Sequence, residues 1–358
     1  MIRQNAPGLN GGRHLSERRL SPATGCPNMG TPRPLPAAMM SDFTVIAHRG
    51  ASAYLPESTL AAAAVAHAMR ADYIELDVVL TRDDVPVVLH DLYLDAVTDV
   101  AGKFPGRRRP DGHHYAIDFN WAEICSLRVH ERTDANGSAL FPNRFPFSAA
   151  IFHLPSLAEM VELVQGLNHA SGWQAGFYIE PKSPAFHHAA GKDVTAAVLR
   201  LLAAHGLCHG DDKVCIQSFD REELRRARLE LQTPLTLVQL IGENDWNESP
   251  TDFEHLQTAA GLAAIADFAD GIGPWLPQVI EIDATGTPRY SGLVGMAHAR
   301  GLFVHAYTLR ADQLPQHVAD LKTALQLLRQ AGLDGVFTDH PDRVRGLLSR
   351  FGADGLSG

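Results

Sequence analysis

From Phe43 onward, short apolar runs rich in β-branched residues alternate with longer stretches of helical character. This alternation is typical of repeated βα units, which place successive strands parallel in one sheet. A long series of such units closes most naturally into a TIM (β/α)8 barrel, which routinely uses more than about two hundred residues as a single domain. The sequence therefore predicts an α/β barrel. Seven strands are expected at 44–48, 73–80, 176–181, 213–219, 235–241, 302–308 and 335–338, with an eighth at 279–283.

Two segments depart from this alternation. Residues 92–155 are polar and contain Gly and Pro, which predicts an inserted subdomain after the second strand. Residues 242–287 are a candidate second insertion. The catalytic barrel is expected to cover 43–350, between an N-terminal extension at 1–42, predicted to be disordered, and a tail at 351–358. The Met39-Met40 pair offers an alternative start immediately before the first strand.

Composition excludes several classes of protein. Acidic residues outnumber basic ones, 41 against 31, and the net charge of −10 argues against a nucleic-acid partner. The four cysteines form no C-x-x-C pair, so neither a zinc knuckle nor a disulfide framework is expected. No apolar run reaches the roughly 18 residues of a membrane span. Because no secretory signal is recognisable, a cytoplasmic location is expected, with a periplasmic one as the alternative.

Three acidic residues are expected at the ends of neighbouring strands. In the strand 73–80, Glu75 and Asp77 alternate with apolar residues, so both carboxylates project to one face. Glu180 ends the strand 176–181 at the same rim. Carboxylate oxygens in this arrangement suit a divalent cation such as Ca²⁺ or Mg²⁺. From spacing alone, an equally good interpretation puts Glu75 and Asp77 on the solvent face of an edge strand.

Two histidines also follow apolar strands. His48 ends the first strand, and His90 ends a hairpin-like addition that returns to the same rim. Imidazole can accept and donate protons near neutral pH, so such a pair can divide general acid and general base work. Arg49 and Lys182 add positive charge suited to a phosphate. Together with the carboxylates this set predicts phosphoryl transfer, whereas either histidine alone is more typical of a structural or surface position.

Other enzyme classes fit the sequence less well. It contains no G-x-S-x-G elbow, no H-E-x-x-H helix and no phosphate-binding P-loop. A glycosidase that used Glu75 and Glu180 as its acid pair would leave both histidines and Arg49 without a role. A non-catalytic binding protein on a barrel scaffold would be expected to have lost one of these groups.

The motifs, taken in order, resemble those of the glycerophosphodiester phosphodiesterase family, and most closely its bacterial periplasmic-type branch. The resemblance begins in 45–59, which contains His-Arg-Gly, and continues in 71–77, which ends in Glu-Leu-Asp, and in Val-Val-Leu-His-Asp at 87–91. It covers nearly everything after residue 42. Further matching stretches are 94–100, 111–119, 179–182, 217–219 and 337–342. Ser58 departs from the family, which more often has Asn or His there.

The resemblance implies a barrel of the phospholipase-C-like phosphodiesterase type, with an insertion after the second strand. It implies hydrolysis of glycerophosphodiesters, such as glycerophosphocholine and glycerophosphoethanolamine, to sn-glycerol 3-phosphate and an alcohol. In the family, the glycerol 2-hydroxyl attacks phosphorus and water then opens the cyclic phosphate. The alternative is a phospholipase-type lipid phosphodiesterase on the same fold, which would need an apolar rim that the charged stretch 103–111 does not supply.

By matching positions, the resemblance also implies a role for each candidate site residue. Ca²⁺ is the implied cation, with Mg²⁺ as the alternative. Glu57 is implied to support Arg49 or the metal indirectly, without itself binding the substrate or the metal. The remaining roles are His48 and His90 as the acid/base pair, Glu75, Asp77 and Glu180 as metal ligands, and Arg49 and Lys182 as contacts to the substrate phosphate.

Overall fold

The computed structural model describes residues 43–147 and 149–354. The predicted extension at 1–42 and the last four residues of the predicted tail lie outside this range. The strands are β1 (Thr44–Ala47), β2 (Tyr73–Leu80), β3 (Pro86–Val88), β4 (Gly176–Pro181), β5 (Val214–Ser218), β6 (Thr236–Ile241), β7 (Gly271–Pro274), β8 (Ile280–Ile282), β9 (Pro288–Tyr290), β10 (Phe303–Leu309) and β11 (Gly335–Thr338).

Helices connect most of these strands. The α-helices are α1 (Leu60–Ala68), α2 (Val100–Lys103), α3 (Trp121–Cys125), α4 (Leu157–Ser171), α5 (Pro184–Ala189), α6 (Val194–Ala204), α7 (Arg221–Leu229), α8 (Phe253–Leu256), α9 (Ala259–Ala266), α10 (Leu276–Val279), α11 (Leu293–His298), α12 (Leu321–Gln330) and α13 (Pro341–Asp354). Short 3-10 helices lie at Pro105–Arg107, Ala116–Asp118 and Asn244–Trp246. Among the described helices, none has the length and apolar character that crossing a membrane requires.

Eight parallel strands close into a barrel, which confirms the predicted fold class. Their order around the barrel is β1, β2, β4, β5, β6, β7, β10 and β11, and β11 pairs with β1 to complete the circle. A parallel pair of strands requires a crossover connection, which the helices supply. The carboxyl ends of all eight strands consequently meet at one rim, where the active sites of this fold are built.

The eighth barrel strand is β7, so the prediction that 279–283 supplies the eighth barrel strand is wrong. Two of the four β7 residues are glycine, which has low strand propensity and leaves no apolar run to recognise. Glycine is required at position 271 because a Cβ there would lie 2.4 Å from the Phe303 ring on the neighbouring strand. Residues 280–282 form β8 instead, which pairs antiparallel with β9 outside the barrel.

The insertion follows the second strand, as predicted. β2 first pairs antiparallel with β3, and the chain then forms α2, α3 and irregular segments before α4 leads to β4. Phe119, Ile124 and Leu127 are part of a separate apolar cluster in this region, which packs against β3. In the stretch 242–287, the candidate second insertion, α8, α9 and β7 continue the barrel repeat, and β8 near its end pairs outside the barrel. The last helix extends to Asp354, four residues into the predicted tail.

Aromatic side chains fill the barrel interior and form a floor beneath the rim. Tyr73, Tyr178, Phe303 and Phe337 belong to one buried cluster. His305 lies among them, only 1% exposed, and its Nδ1 is 3.2 Å from the Tyr178 hydroxyl in a hydrogen bond. Burial lowers the pKa of His305 to about 4. The imidazole is therefore neutral in the folded protein at neutral pH.

We expect His305 to make folding stability depend on pH between its ordinary pKa of 6.5 and about 4. In this range the unfolded chain binds a proton that the folded protein excludes, so this contribution destabilises the fold as pH falls. His305→Gln removes it. Between pH 7 and pH 4.5, the free energy of unfolding of the variant, measured with urea, should rise relative to that of the wild type by about 1–3 kcal/mol. A difference independent of pH would contradict the buried neutral imidazole.

Candidate active site

Three carboxylates converge at the carboxyl-end rim of the barrel. Glu75 and Asp77 extend from the same face of β2, and Asp77 lies in register with Glu180 on β4. All three are buried, and one oxygen from each lies within 4.8 Å of the other two. Asp77 Oδ2 is buried and makes no hydrogen bond within the described part of the chain, although Arg49 Nε lies 3.2 Å from it. These oxygens are arranged around a position that a cation can occupy.

The electrostatics of this cluster favour a bound cation. Burial, reinforced by repulsion from Asp77, raises the pKa of Glu75 well above its usual value. Burial also raises the pKa of Glu180 to about 7, against the attraction of Lys182. Carboxylates held this close in a buried site repel one another when they are ionised. The donor set of hard oxygens therefore fits a divalent ion, which would offset this repulsion.

A second group of potential ligands has a different character. His188, Asp193 and Glu223 also bring three donor atoms within 4.8 Å of one another. Here the guanidinium of Arg226 lies 2.8 Å from Asp193 and 2.7 Å from Glu223. Because this group is only partly buried and one arginine bridges both of its acids, it needs a cation less than the three fully buried carboxylates of the rim do.

His48 lies at the end of β1 and is anchored by a buried aspartate. Its Nδ1 is 2.8 Å from Asp339 Oδ1, and the Asp339 carboxylate also accepts hydrogen bonds from Arg144 and Arg310. Burial, together with the neighbouring Arg49 guanidinium, lowers the pKa of His48 to about 4. The imidazole is thus neutral near pH 7, and the Asp339 contact to Nδ1 leaves Nε2 as the nitrogen available for proton transfer.

His90 is anchored in the same way. Its Nδ1 lies 2.6 Å from Asp91 Oδ1, and the other oxygen of Asp91 accepts a hydrogen bond from Arg132 at 2.7 Å. Burial and the charges of Arg49 and Lys182 lower the pKa of His90. Both predicted acid/base residues consequently have a carboxylate on Nδ1, which orients the ring.

Arg49 connects these groups. It has a left-handed backbone (φ 56°), an uncommon conformation for a residue with a side chain, and its N–H donates to Glu75 Oε2 at 2.8 Å. Its guanidinium donates to Glu57 at 3.0 Å, and Glu57 accepts two further hydrogen bonds from Arg132. Lys182 Nζ lies 2.8 Å from Glu180 Oε1. An ion-pair network thus joins the metal-type carboxylates to the anchor of His90.

A cleft of about 230 Å³ brings the predicted site residues together. Glu57 is the exception, since it lines an adjoining cavity of about 320 Å³ on the side of the insertion. The predicted residues that line the cleft itself are His48, Arg49, Glu75, Asp77, His90, Glu180 and Lys182.

Several residues of the site have no role in the sequence-based prediction. Asp91, Gln217 and Asp339 lie inside the family-like motifs, so the motifs mark their positions but not their contacts. Gln217, for example, donates to Glu75 Oε1 at 3.2 Å. Arg132, Arg144 and Arg310 lie on the insertion and on the segment after β10, where no local pattern identifies them. The same is true of the cleft residues Trp246, Glu248 and Trp275.

Comparison with known proteins gives consistent matches. Residues 48–343 match the model of the glycerophosphoryl diester phosphodiesterase family. The chain is 38% identical over 324 residues to a glycerophosphodiester phosphodiesterase of Haemophilus influenzae, covering 85% of this chain and 89% of that protein. A Silicibacter pomeroyi structure with the same family assignment has a TM-score of 0.66 at 26% identity, over 87% of this chain and 94% of that one. A phosphodiesterase of Oleispira antarctica, solved with the product sn-glycerol-3-phosphate, shares the fold (TM-score 0.56, 22% identity, 86% and 96% covered).

Proposed function

Since this chain belongs to the glycerophosphodiester phosphodiesterase family, we propose that it hydrolyses glycerophosphocholine, glycerophosphoethanolamine and related diesters to sn-glycerol 3-phosphate and an alcohol. The observation that carries this proposal is the convergence of two carboxylate-anchored histidines and three buried carboxylates in one cleft. The Oleispira antarctica enzyme binds the product that this reaction would release.

In this proposal, Glu75, Asp77 and Glu180 hold a divalent cation. Carboxylate oxygens are the ligands that Ca²⁺ and Mg²⁺ prefer, and Ca²⁺ tolerates irregular geometry better than Mg²⁺, which requires a near-ideal octahedron. We favour Ca²⁺ because it is the cation that the family resemblance implies, and we keep Mg²⁺ as the alternative. When bound, the cation would neutralise charge that develops on the phosphoryl oxygens.

The two histidines carry the proton transfers. His48, neutral in the free site, accepts the proton of the glycerol 2-hydroxyl at Nε2 as that oxygen attacks phosphorus. His90, in its protonated form, donates the proton of Nε2 to the oxygen of the departing alcohol, and a five-membered cyclic phosphate results. Water then opens the ring with the two roles exchanged. Asp339 and Asp91 hold each imidazole through Nδ1, so that Nε2 performs the exchange.

Arg49 and Lys182 bind the phosphate through their positive charges. Arginine can donate two parallel hydrogen bonds to phosphate oxygens, whereas lysine acts as a point charge. Glu57 keeps the Arg49 guanidinium in position through their 3.0 Å hydrogen bond. Arg132, which contacts Glu57 and Asp91, couples the orientation of Arg49 to that of His90.

Hydrolysis of glycerophosphocholine in a coupled glycerol 3-phosphate dehydrogenase assay tests the proposal. We expect release of glycerol 3-phosphate that stops with a chelator and returns when Ca²⁺ is restored, with Mg²⁺ as the comparison. Full activity in chelator would contradict the metal assignment. A folded sample that releases no glycerol 3-phosphate under any metal would contradict the substrate assignment.

One observation favours a second candidate, a lipid phosphodiesterase. A cavity of about 610 Å³ adjoins the cleft and shares Trp275 and Arg310 with it. Its wall contains apolar side chains such as Leu276, Ile280 and Leu327, which suit an acyl chain better than a polar alcohol. Faster turnover of lysophosphatidylcholine than of glycerophosphocholine would favour this candidate.

A further inference from the structure

One side of the cleft is aromatic, and nothing in the proposed chemistry uses it. Trp246 follows β6 and Trp275 follows β7, and their rings meet edge to face with centroids 5.2 Å apart. They remain 39% and 36% exposed, unusual for the largest apolar side chain, while Phe219 and Tyr307 line the same side more deeply. Exposed aromatic faces that line a cleft beside a reactive site suggest a ligand-binding surface.

The Trp246 ring is seated against the barrel. A Cβ on Gly242, at the end of β6, would lie 2.9 Å from that ring, so the glycine allows the indole to pack directly on the backbone. The ring therefore has a defined place beside the cleft.

Among the described residues, a carboxylate that forms no salt bridge lines the same cleft as these rings. Glu248 lines the cleft, and within 43–147 and 149–354 no Lys, Arg or His pairs with it. On the opposite side, toward the insertion, Glu57, Asp91 and Asp339 are all paired with arginines. The described lining of the cleft thus combines two exposed indole rings with a carboxylate that forms no salt bridge.

We propose that Trp246, Trp275 and Glu248 bind a quaternary ammonium group on the departing alcohol, which makes choline-type diesters the preferred substrates. A trimethylammonium group has no N–H to donate, so hydrogen-bonding side chains cannot recognise it, whereas aromatic faces attract it through the ring quadrupole. Glu248 adds charge complementarity and disfavours anionic head groups. This inference rests on the proposed function, because it specifies which glycerophosphodiesters that site prefers.

Direct binding provides the first test. The chain contains four tryptophans, so the indole N–H signals in a ¹⁵N NMR spectrum can be assigned by substitution. Choline should shift the signals of Trp246 and Trp275. The neutral isostere 3,3-dimethylbutan-1-ol should bind about tenfold more weakly, because it has the same shape without the charge. Equal binding of the two compounds, or no shift at these signals, would overturn the proposal.

Kinetics provide the second test, through the ratio of kcat/KM for glycerophosphocholine to that for the uncharged-headgroup diester glycerophosphoglycerol. Trp246→Leu and Trp275→Leu should each lower this ratio about tenfold. Trp246→Phe, which keeps an aromatic face, should leave the ratio close to that of the wild type. Glu248→Gln should lower it several-fold. Glu254→Gln, an exposed acid on α8 that does not line the cleft, controls for loss of surface charge. An unchanged ratio in the leucine variants would overturn the proposal.

The two tests separate this inference from the proposed function. If the wild type hydrolysed neither diester, the proposed function would fail, and the NMR titration would still report on the ammonium site. If it hydrolysed both with an unchanged ratio in every variant, the function would stand and the ammonium site would not.

Discussion

His48→Ala and His90→Ala should each lower kcat for glycerophosphocholine by about 10²–10⁴-fold, the usual contribution of a positioned general acid or base. Each substitution removes one of the two proton-transferring imidazoles, and the aspartate that anchored that imidazole keeps its arginine partners. Asp339 retains Arg144 and Arg310, and Asp91 retains Arg132, so no buried carboxylate is left unpaired. The thermal unfolding curves of both variants should therefore stay close to that of the wild type.

The leaving group distinguishes the two histidines. A glycerophosphodiester of p-nitrophenol needs little protonation of its leaving oxygen, so His90→Ala should recover most of the rate of first-turnover nitrophenol release, while His48→Ala should not. His209→Ala, an exposed histidine just before β5 at the opposite end of the barrel, is the matched control and should behave as wild type. Wild-type turnover by either cleft variant would refute the two-histidine assignment, and recovery by His48→Ala instead would exchange the two roles.

Glu75→Gln should raise the metal concentration for half-maximal activity at least about 100-fold, because a charged oxygen ligand is replaced by a neutral one. The same change should raise the melting temperature of the metal-free protein, since it relieves repulsion between Glu75 and Asp77. Added Ca²⁺ should stabilise the wild type strongly and the variant weakly. The readouts are activity against buffered Ca²⁺ and thermal melting with and without chelator.

Glu223→Gln is the matched control for this experiment. Glu223 belongs to the other group of three potential ligands, where Arg226 already supplies the positive charge. We expect its substitution to leave the metal requirement of activity unchanged. If instead Glu75→Gln left the metal requirement unchanged, the three carboxylates on β2 and β4 would not be the metal ligands.

Local pattern was sufficient for most of the barrel and for the residues at its strand ends. A parallel strand buried on both faces is an apolar run, and a polar side chain near its carboxyl end stands out against that run. His48, Glu75, Asp77 and Glu180 could be selected in this way before any contact was known, since the carboxyl ends of parallel strands share one rim. Strand β7 was missed because two of its four residues are glycines, and Gly271 makes room for Phe303, a requirement set by a neighbouring strand.

The sequence by itself determined the fold class, the insertion and the set of polar residues at the rim, because these depend on periodicity and on motifs within a few residues. Only the tertiary structure decided which charges meet. Asp339 reaches His48 across 291 residues of chain, and Arg144 reaches Asp339 across 195. Trp246, Trp275 and Glu248 come to line one cleft only through barrel closure. Such contacts are set by the packing of distant segments, and no local pattern encodes that packing.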